Sequence, residues 1–236
     1  MRLRAASIIG LLAAGTIAGC AAGGTRGEAS PGSGEGRVRY VALGDSYTIG
    51  TDVTEAERWP NQLAARIGPI ELAANLGVNG YTSADVIAEE LPQLEALRPE
   101  LVSLLVGVND AVRGVPDTEY ASNVAVILDD LVARVGSDGI ICVATPDYTR
   151  TPRGADYGDP ELQSDRIVRF NAILREACEL RRITFVPEIF EISQRASEEL
   201  RLVAEDGLHP SGEQYRRWVD VIAPAVEVLL VASPHG

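Results

Sequence analysis

Five short apolar runs rich in β-branched residues recur along this 236-residue chain, and a helical pattern follows each of them. The runs are Val38 to Leu43, Ile70 to Ala74, Leu101 to Val106, Ile140 to Ala144 and Thr184 to Val186. The helical patterns fall near Trp59 to Ile67, Ser83 to Leu97, Thr118 to Val135, Arg166 to Arg181 and Gly212 to Leu230. Strands that alternate with helices in this way predict a parallel sheet covered on both faces, an α/β protein. Right-handed crossovers then favour a three-layer α/β/α sandwich with five strands in the order 2-1-3-4-5. With 46% hydrophobic residues the chain has material for one well-buried domain, placed at residues 38–232 with a short tail over 233–236, and too little for two.

In a flavodoxin-like sandwich, function gathers outside the carboxyl ends of the strands. Ser46 follows the first strand, Gly80 the second and Asn109 the third, so all three are expected at one rim. A serine hydroxyl is inert at neutral pH until a base accepts its proton. The chain has two histidines, and His235 lies in the terminal Pro-His-Gly tail, which leaves His209 as the candidate base. Asp206, three residues before it, can fold back onto the imidazole, fix its tautomer and stabilise the imidazolium.

Four short blocks carry a family resemblance. Gly44-Asp45-Ser46, the run Asn75-Leu76-Gly77-Val78-Asn79-Gly80, Gly107-Val108-Asn109-Asp110 and Asp206-Gly207-Leu208-His209 occur in the order found in the SGNH hydrolases, also called GDSL esterases and lipases. Each block alone is weak; in this order, on successive strand ends, the set is specific. The resemblance covers roughly Val38 to Leu230. It implies hydrolysis of carboxylic esters through an acyl-enzyme at Ser46, with His209 as base and Asp206 as its partner. It assigns the oxyanion hole to the backbone N–H of Ser46, the backbone N–H of Gly80 and the side-chain amide of Asn109, and it implies neither metal nor cofactor. The substrate would be a small-molecule, lipid or glycan ester. Tyr47 stands where the family nickname has leucine, a departure that bears on subfamily and not on the reacting atoms. Asp45 and Asp110 adjoin the blocks and are read as structural caps. The segment Thr145 to Asp165, with Tyr148, Arg150, Arg153 and Tyr157, reads as a long irregular loop, and together with Ala111 to Asp117 it should overhang the same rim.

Composition narrows the field further. All 21 basic residues are arginine, which removes lysine-dependent chemistries such as P-loop NTP hydrolysis and Schiff-base catalysis. A formal charge of -13 repels phosphate backbones, so nucleic acid is not an expected partner. Residues 1–19 carry Arg2 and Arg4 followed by the uncharged stretch Ala5 to Ala18 and read as an export signal. Ile17-Ala18-Gly19-Cys20 resembles a bacterial lipobox, in which Cys20 receives a diacylglycerol anchor. Residues 20–37 are then the lipidated cysteine and a flexible Gly, Ala, Ser and Pro linker. A monomeric lipoprotein held on the outer face of the cell membrane is the expectation. Cys142 and Cys178 are expected as buried thiols, and no CxxC or HExxH pattern supports a metal site.

Three other readings compete. An α/β-hydrolase needs a G-x-S-x-G elbow, but position 48 is threonine. A flavin carrier needs a phosphate-cradling first loop, and the glycine-rich run Gly32 to Gly36 precedes the first strand instead. A catalytically silent, lipid-anchored binding protein on the same fold remains as the alternative.

Overall fold

The alternating runs do form one parallel sheet in the computed structural model, which describes residues 36–232. Its strands are β1 (Val38–Gly44), β2 (Ile70–Asn75), β3 (Leu101–Leu105), β4 (Ile140–Val143) and β5 (Thr184–Val186). All neighbours pair in parallel, in the order β2-β1-β3-β4-β5. The segment 1–19, Cys20, the linker up to residue 35 and the tail 233–236 lie outside the described residues.

Burial explains why these runs become strands. Every residue of β3 is buried, as is all of β1 except Arg39, because both faces of a central parallel strand are roofed by helices. A polar pair inside this layer satisfies itself: the Tyr40 hydroxyl on β1 lies 2.7 Å from Ser103 Oγ on β3.

The helices are α1 (Ser46–Ile49), α2 (Trp59–Arg66), α3 (Ser83–Asp85), α4 (Leu94–Leu97), α5 (Val108–Arg113), α6 (Asp117–Val135), α7 (Pro160–Arg181), α8 (Glu188–Gln194) and α9 (Gly212–Ala232). The connection from β1 to β2 runs one way across the sheet and those from β3 through β4 to β5 run the other way. Right-handed crossovers therefore put the intervening helices on opposite faces. On one face α2 packs with α9, burying Trp59 and Trp218; on the other α6 packs with α7, where Tyr120 and Phe170 stack at 4.1 Å. The buried residues of α6, Tyr120, Val124, Ile127, Leu128 and Leu131, follow the helical period that predicted it.

Four elements depart from the sequence expectation. The stretch from Ser83 to Leu97 is not one helix: α3 is followed by a π-helical turn at Val86–Glu90, a 3-10 turn at Leu91–Gln93 and then α4. Pro92 supplies the reason, since it lacks an N–H and its ring collides with the carbonyl four residues earlier in a regular helix. The long loop ends earlier than expected, because α7 starts at Pro160. Asp159 Oδ1 accepts the amides of Glu161 and Leu162 at 3.0 and 3.1 Å, an N-cap followed by proline in the first turn. Within Ala111 to Asp117, the first three residues belong to α5, and α8 was not anticipated at all. Cys142 and Cys178 are buried free thiols, as expected. Among the described residues no helix is long and apolar enough to cross a membrane.

Candidate active site

The middle strands end at a common edge, and local sequence decides how closely. Gly44 has φ +147°, and a Cβ there would stand 2.1 Å from the Leu105 carbonyl oxygen, so only glycine lets β1 finish against β3. Asp45 follows, its Oδ1 accepting the Tyr47 amide at 2.9 Å, and caps the short helix α1. Ser46 is thereby held as the first residue of that helix.

His209 reaches Ser46 from the far end of the chain. Its Nε2 lies 3.0 Å from Ser46 Oγ, and its Nδ1 lies 2.5 Å from Asp206 Oδ2. The other oxygen of Asp206 accepts the amides of Leu208 and His209, both at 2.9 Å, so one carboxylate shapes the turn and orients the ring. Partial burial works to raise the Asp206 carboxyl pKa, but the bonds from the His209 ring and the two amides outweigh it. The net shift is downward, and Asp206 stays ionised.

The remaining predicted residues arrive at the same place. Gly80, in the loop after β2, has φ +85°, a left-handed conformation that disfavours any side chain. Asn109, on α5, donates from Nδ2 to the Tyr81 carbonyl at 3.0 Å and stands 3.4 Å from Asp45 Oδ2. The backbone N–H groups of Ser46 and Gly80 meet no acceptor among the described residues. Ser46, Gly80, Asn109 and His209 all line one cavity of about 220 Å³.

Its walls are uncharged. Val108, Val112 and Leu208 supply apolar surface, while Tyr148 and Tyr157 meet edge to face at 6.0 Å. Tyr47 also lines the cavity, its ring centroid 5.2 Å from that of His209. Of the four loop residues singled out from sequence, the two tyrosines reach the cavity and the two arginines do not: Arg150 pairs with Asp147 and Arg153 with Asp156. Val112 comes from the Ala111 to Asp117 segment expected over the rim and Val108 from the Asn109 block; what the sequence did not show is the helix α5 that carries both. The signal was present in Gly107 and Gly114, which bracket the helix.

Three buried acids sit behind this rim. Asp45 is pushed up to about 7, by burial first, with the Asp110 carboxyl adding to it and the Tyr47 amide opposing. Asp110 is raised by burial although it accepts the Ser83 amide and, at 2.5 Å, the Ser83 hydroxyl. Glu90, on the π-helical turn, is pushed up to about 9, again by burial, although its Oε2 accepts the Gly44 amide at 2.9 Å. Asp45 and Asp110 thus act as the caps and braces expected of them, and Glu90 is a third brace that the sequence did not announce.

Comparison with known proteins agrees with this geometry. A model of the GDSL-like lipase/acylhydrolase family matches residues 42–217. An arylesterase of Vibrio mimicus is 26% identical over 179 residues, covering 74% of this chain and 81% of its own length. Among solved structures, TesA superposes with a TM-score of 0.66 at 20% identity, over 81% of this chain and 99% of TesA. The psychrotrophic esterase EstA of Pseudoalteromonas sp., in a form inhibited by monoethylphosphonate, gives 0.63 at 18% identity, over 82% and 98%. The structural neighbours establish the fold, and the family model runs from the last residues of β1 to beyond His209. The chain therefore belongs to the GDSL-like lipase/acylhydrolase family and is an ester-hydrolysing enzyme.

Proposed function

We propose that the protein cleaves carboxylic esters through an acyl-enzyme on Ser46, with His209 as base and Asp206 as its partner. The observation that carries this reading is the continuous relay from Asp206 Oδ2 to His209 Nδ1 and from His209 Nε2 to Ser46 Oγ, opening onto one cavity. As Ser46 Oγ attacks the ester carbon, its proton passes to His209 Nε2, and the ionised Asp206 stabilises the imidazolium. The carbonyl oxygen becomes an anion facing the two free amides of Ser46 and Gly80 and the Asn109 amide. The Asn109 amide is a planar unit held by the Tyr81 carbonyl at 3.0 Å and more loosely by Asp45 Oδ2 at 3.4 Å, so it turns as a whole to share an Nδ2 hydrogen with the anion. Collapse of the intermediate breaks the ester C–O bond, and His209 gives its proton to the leaving alcohol. A water activated by the same histidine then cleaves the acyl-enzyme, returning Ser46 and releasing the acid.

The cavity narrows the substrate class. At about 220 Å³ it lies below the roughly 300 Å³ at which sites for drug-sized ligands begin, so it suits a short acyl chain or a single ring. With uncharged walls and two tyrosines beside the nucleophile, neutral esters are favoured over charged ones. The related arylesterase makes phenyl acetate a natural first substrate. From residues 1–37 we further propose export and attachment of a monomer to the outer membrane face through lipidated Cys20. Labelling with a radioactive fatty acid tests this, and a Cys20→Ala protein that still labels would refute it.

A fluorophosphonate probe tests the chemistry. It should modify Ser46 in the wild-type chain and leave Ser46→Ala unmodified, with loss of phenyl acetate hydrolysis in parallel. Failure of the wild type to react would favour a silent binding protein on the same fold.

A further inference from the structure

We propose that Asp52 is a positioning residue of this site, holding the Asp206–His209 loop against the segment that carries Ser46. The inference rests on the reading of Ser46, Asp206 and His209 as the catalytic triad. Asp52 has φ +64°, a left-handed conformation that aspartate tolerates better than most residues and glycine tolerates best. Nothing in the turn itself requires aspartate, since glycine would occupy the same conformation freely. What its side chain does is remote: Asp52 Oδ2 accepts the main-chain N–H of Asp206 at 2.7 Å, across 154 residues.

The architecture shows why such a tie matters. Ser46, Gly80 and Asn109 sit on or just beyond strand ends. His209 instead sits in a loop closed mainly on itself, by Ala204 N to His209 O at 2.8 Å, Gly207 N to Ala204 O at 3.1 Å and a bridge between Val203 and Pro210. Besides the His209–Ser46 contact itself, two residues hold that loop to its neighbours near the triad. On one side Arg153 donates from its amide to Gly207 O at 3.0 Å and from Nη1 to Asp206 O at 3.5 Å; on the other stands Asp52. The turn bearing Asp52 is itself anchored to the nucleophile, because the Thr51 amide donates to Ser46 O at 3.1 Å. The Thr51 hydroxyl also donates to Asn79 Oδ1 at 2.6 Å, beside the oxyanion glycine Gly80. Two consecutive residues thus register the nucleophile, the oxyanion loop and the base loop with one another. A misplacement of about 1 Å between reacting groups is enough to slow an enzyme by about a hundredfold.

The test compares Asp52→Gly, Asp52→Asn and, as a control, Ser46→Ala in the full chain, with phenyl acetate as substrate and thermal unfolding measured alongside. Glycine removes the carboxylate while relaxing the backbone, so Tm should stay within about 2 °C of wild type. kcat should fall at least about tenfold while KM stays within about twofold, the pattern of an interaction felt in the transition state. Asp52→Asn keeps an acceptor oxygen and should recover most of the rate lost in the glycine variant. A glycine variant with kcat within twofold of wild type overturns the proposal, and so does an asparagine variant as slow as the glycine one. Hydrolysis that persists in Ser46→Ala overturns the triad reading itself, and the assignment of Asp52 with it.

Discussion

Replacing Glu90 by glutamine should stabilise the protein, and by an amount set by pH. Glu90 is fully buried, one oxygen accepts the Gly44 amide, and the charged neighbours that act on it, Asp45 and Asp85, have its own sign. Its carboxyl titrates at about 9 in the folded chain against an ordinary 4.5. Between these values the folded state holds a proton that the unfolded state has lost. Stability from this group is therefore fully present below pH 4.5 and declines as pH rises toward 9, by about 1.4 kcal/mol per pH unit. Glutamine keeps the oxygen that Gly44 needs, places an amide where the acid hydroxyl stood, and does not titrate. At pH 7 the variant should exceed wild type by about 3 kcal/mol, and below pH 4.5 the two should converge. In a domain of this size that difference corresponds to a rise in Tm of about 6 to 12 °C. Calorimetry or urea denaturation of both proteins at pH 5, 7 and 8.5 measures it. Parallel stability curves across that range would refute the reasoning, because they would mean that Glu90 is ionised in the folded protein.

Other expectations follow from single contacts. If Asn109 serves the oxyanion as proposed, Asn109→Ala should lower kcat by about a hundredfold or more with little change in KM, since losing such a donor removes about 2.7 to 4 kcal/mol of transition-state stabilisation; steady-state kinetics decides. Tyr157→Ala, at a partly exposed wall of the cavity, should alter the ratio of kcat/KM between phenyl acetate and longer p-nitrophenyl esters. The rate of fluorophosphonate labelling at Ser46 should be unchanged, and an unaltered ratio would remove Tyr157 from the binding surface. Cys142 and Cys178 should resist alkylation in the native protein and react once it is unfolded, as peptide mass spectrometry can show. Both are buried, and contact with Cys178, followed by burial, holds the Cys142 thiol well above its ordinary pKa.

The elements most legible in the sequence were those whose local pattern and tertiary role coincide. β1 and β3 read as continuous apolar runs because both faces are covered, and α6 read as a helix because its apolar period is regular. The meeting of the candidate residues was legible for a related reason: a serine, a glycine and an asparagine placed just after buried strands have only one rim to occupy. What escaped depends on contacts between remote residues or on short-range geometry that propensity does not carry. Nothing near Glu90 announces that a π-helical turn will aim it at the Gly44 amide. The start of α7 does carry a local signal, Asp159-Pro160, a capping residue followed by proline, but the first turn after it is largely polar and exposed and lacks the apolar period that marks the rest of the helix.

On the proposed mechanism, the division between strand ends and loops also separates chemistry from selectivity. Asp45 caps the helix that begins at Ser46 and stands 3.4 Å from the Asn109 amide, Asp110 braces Ser83 beside it, and both acids are fully buried. The tyrosine wall, Tyr148 against Tyr157, hangs instead on the connection between β4 and α7, which is tied to the His209 loop by Arg153, through its amide on Gly207 O and its Nη1 on Asp206 O. Changes in that connection should therefore reshape the cavity without moving Ser46, Gly80 or Asn109, the proposed nucleophile and oxyanion donors. They reach the chemistry through the loop that carries His209, because Arg153 holds one of its shoulders and Asp52 the other. We expect changes at that loop to move selectivity and rate together, and changes elsewhere on the tyrosine wall to move selectivity alone.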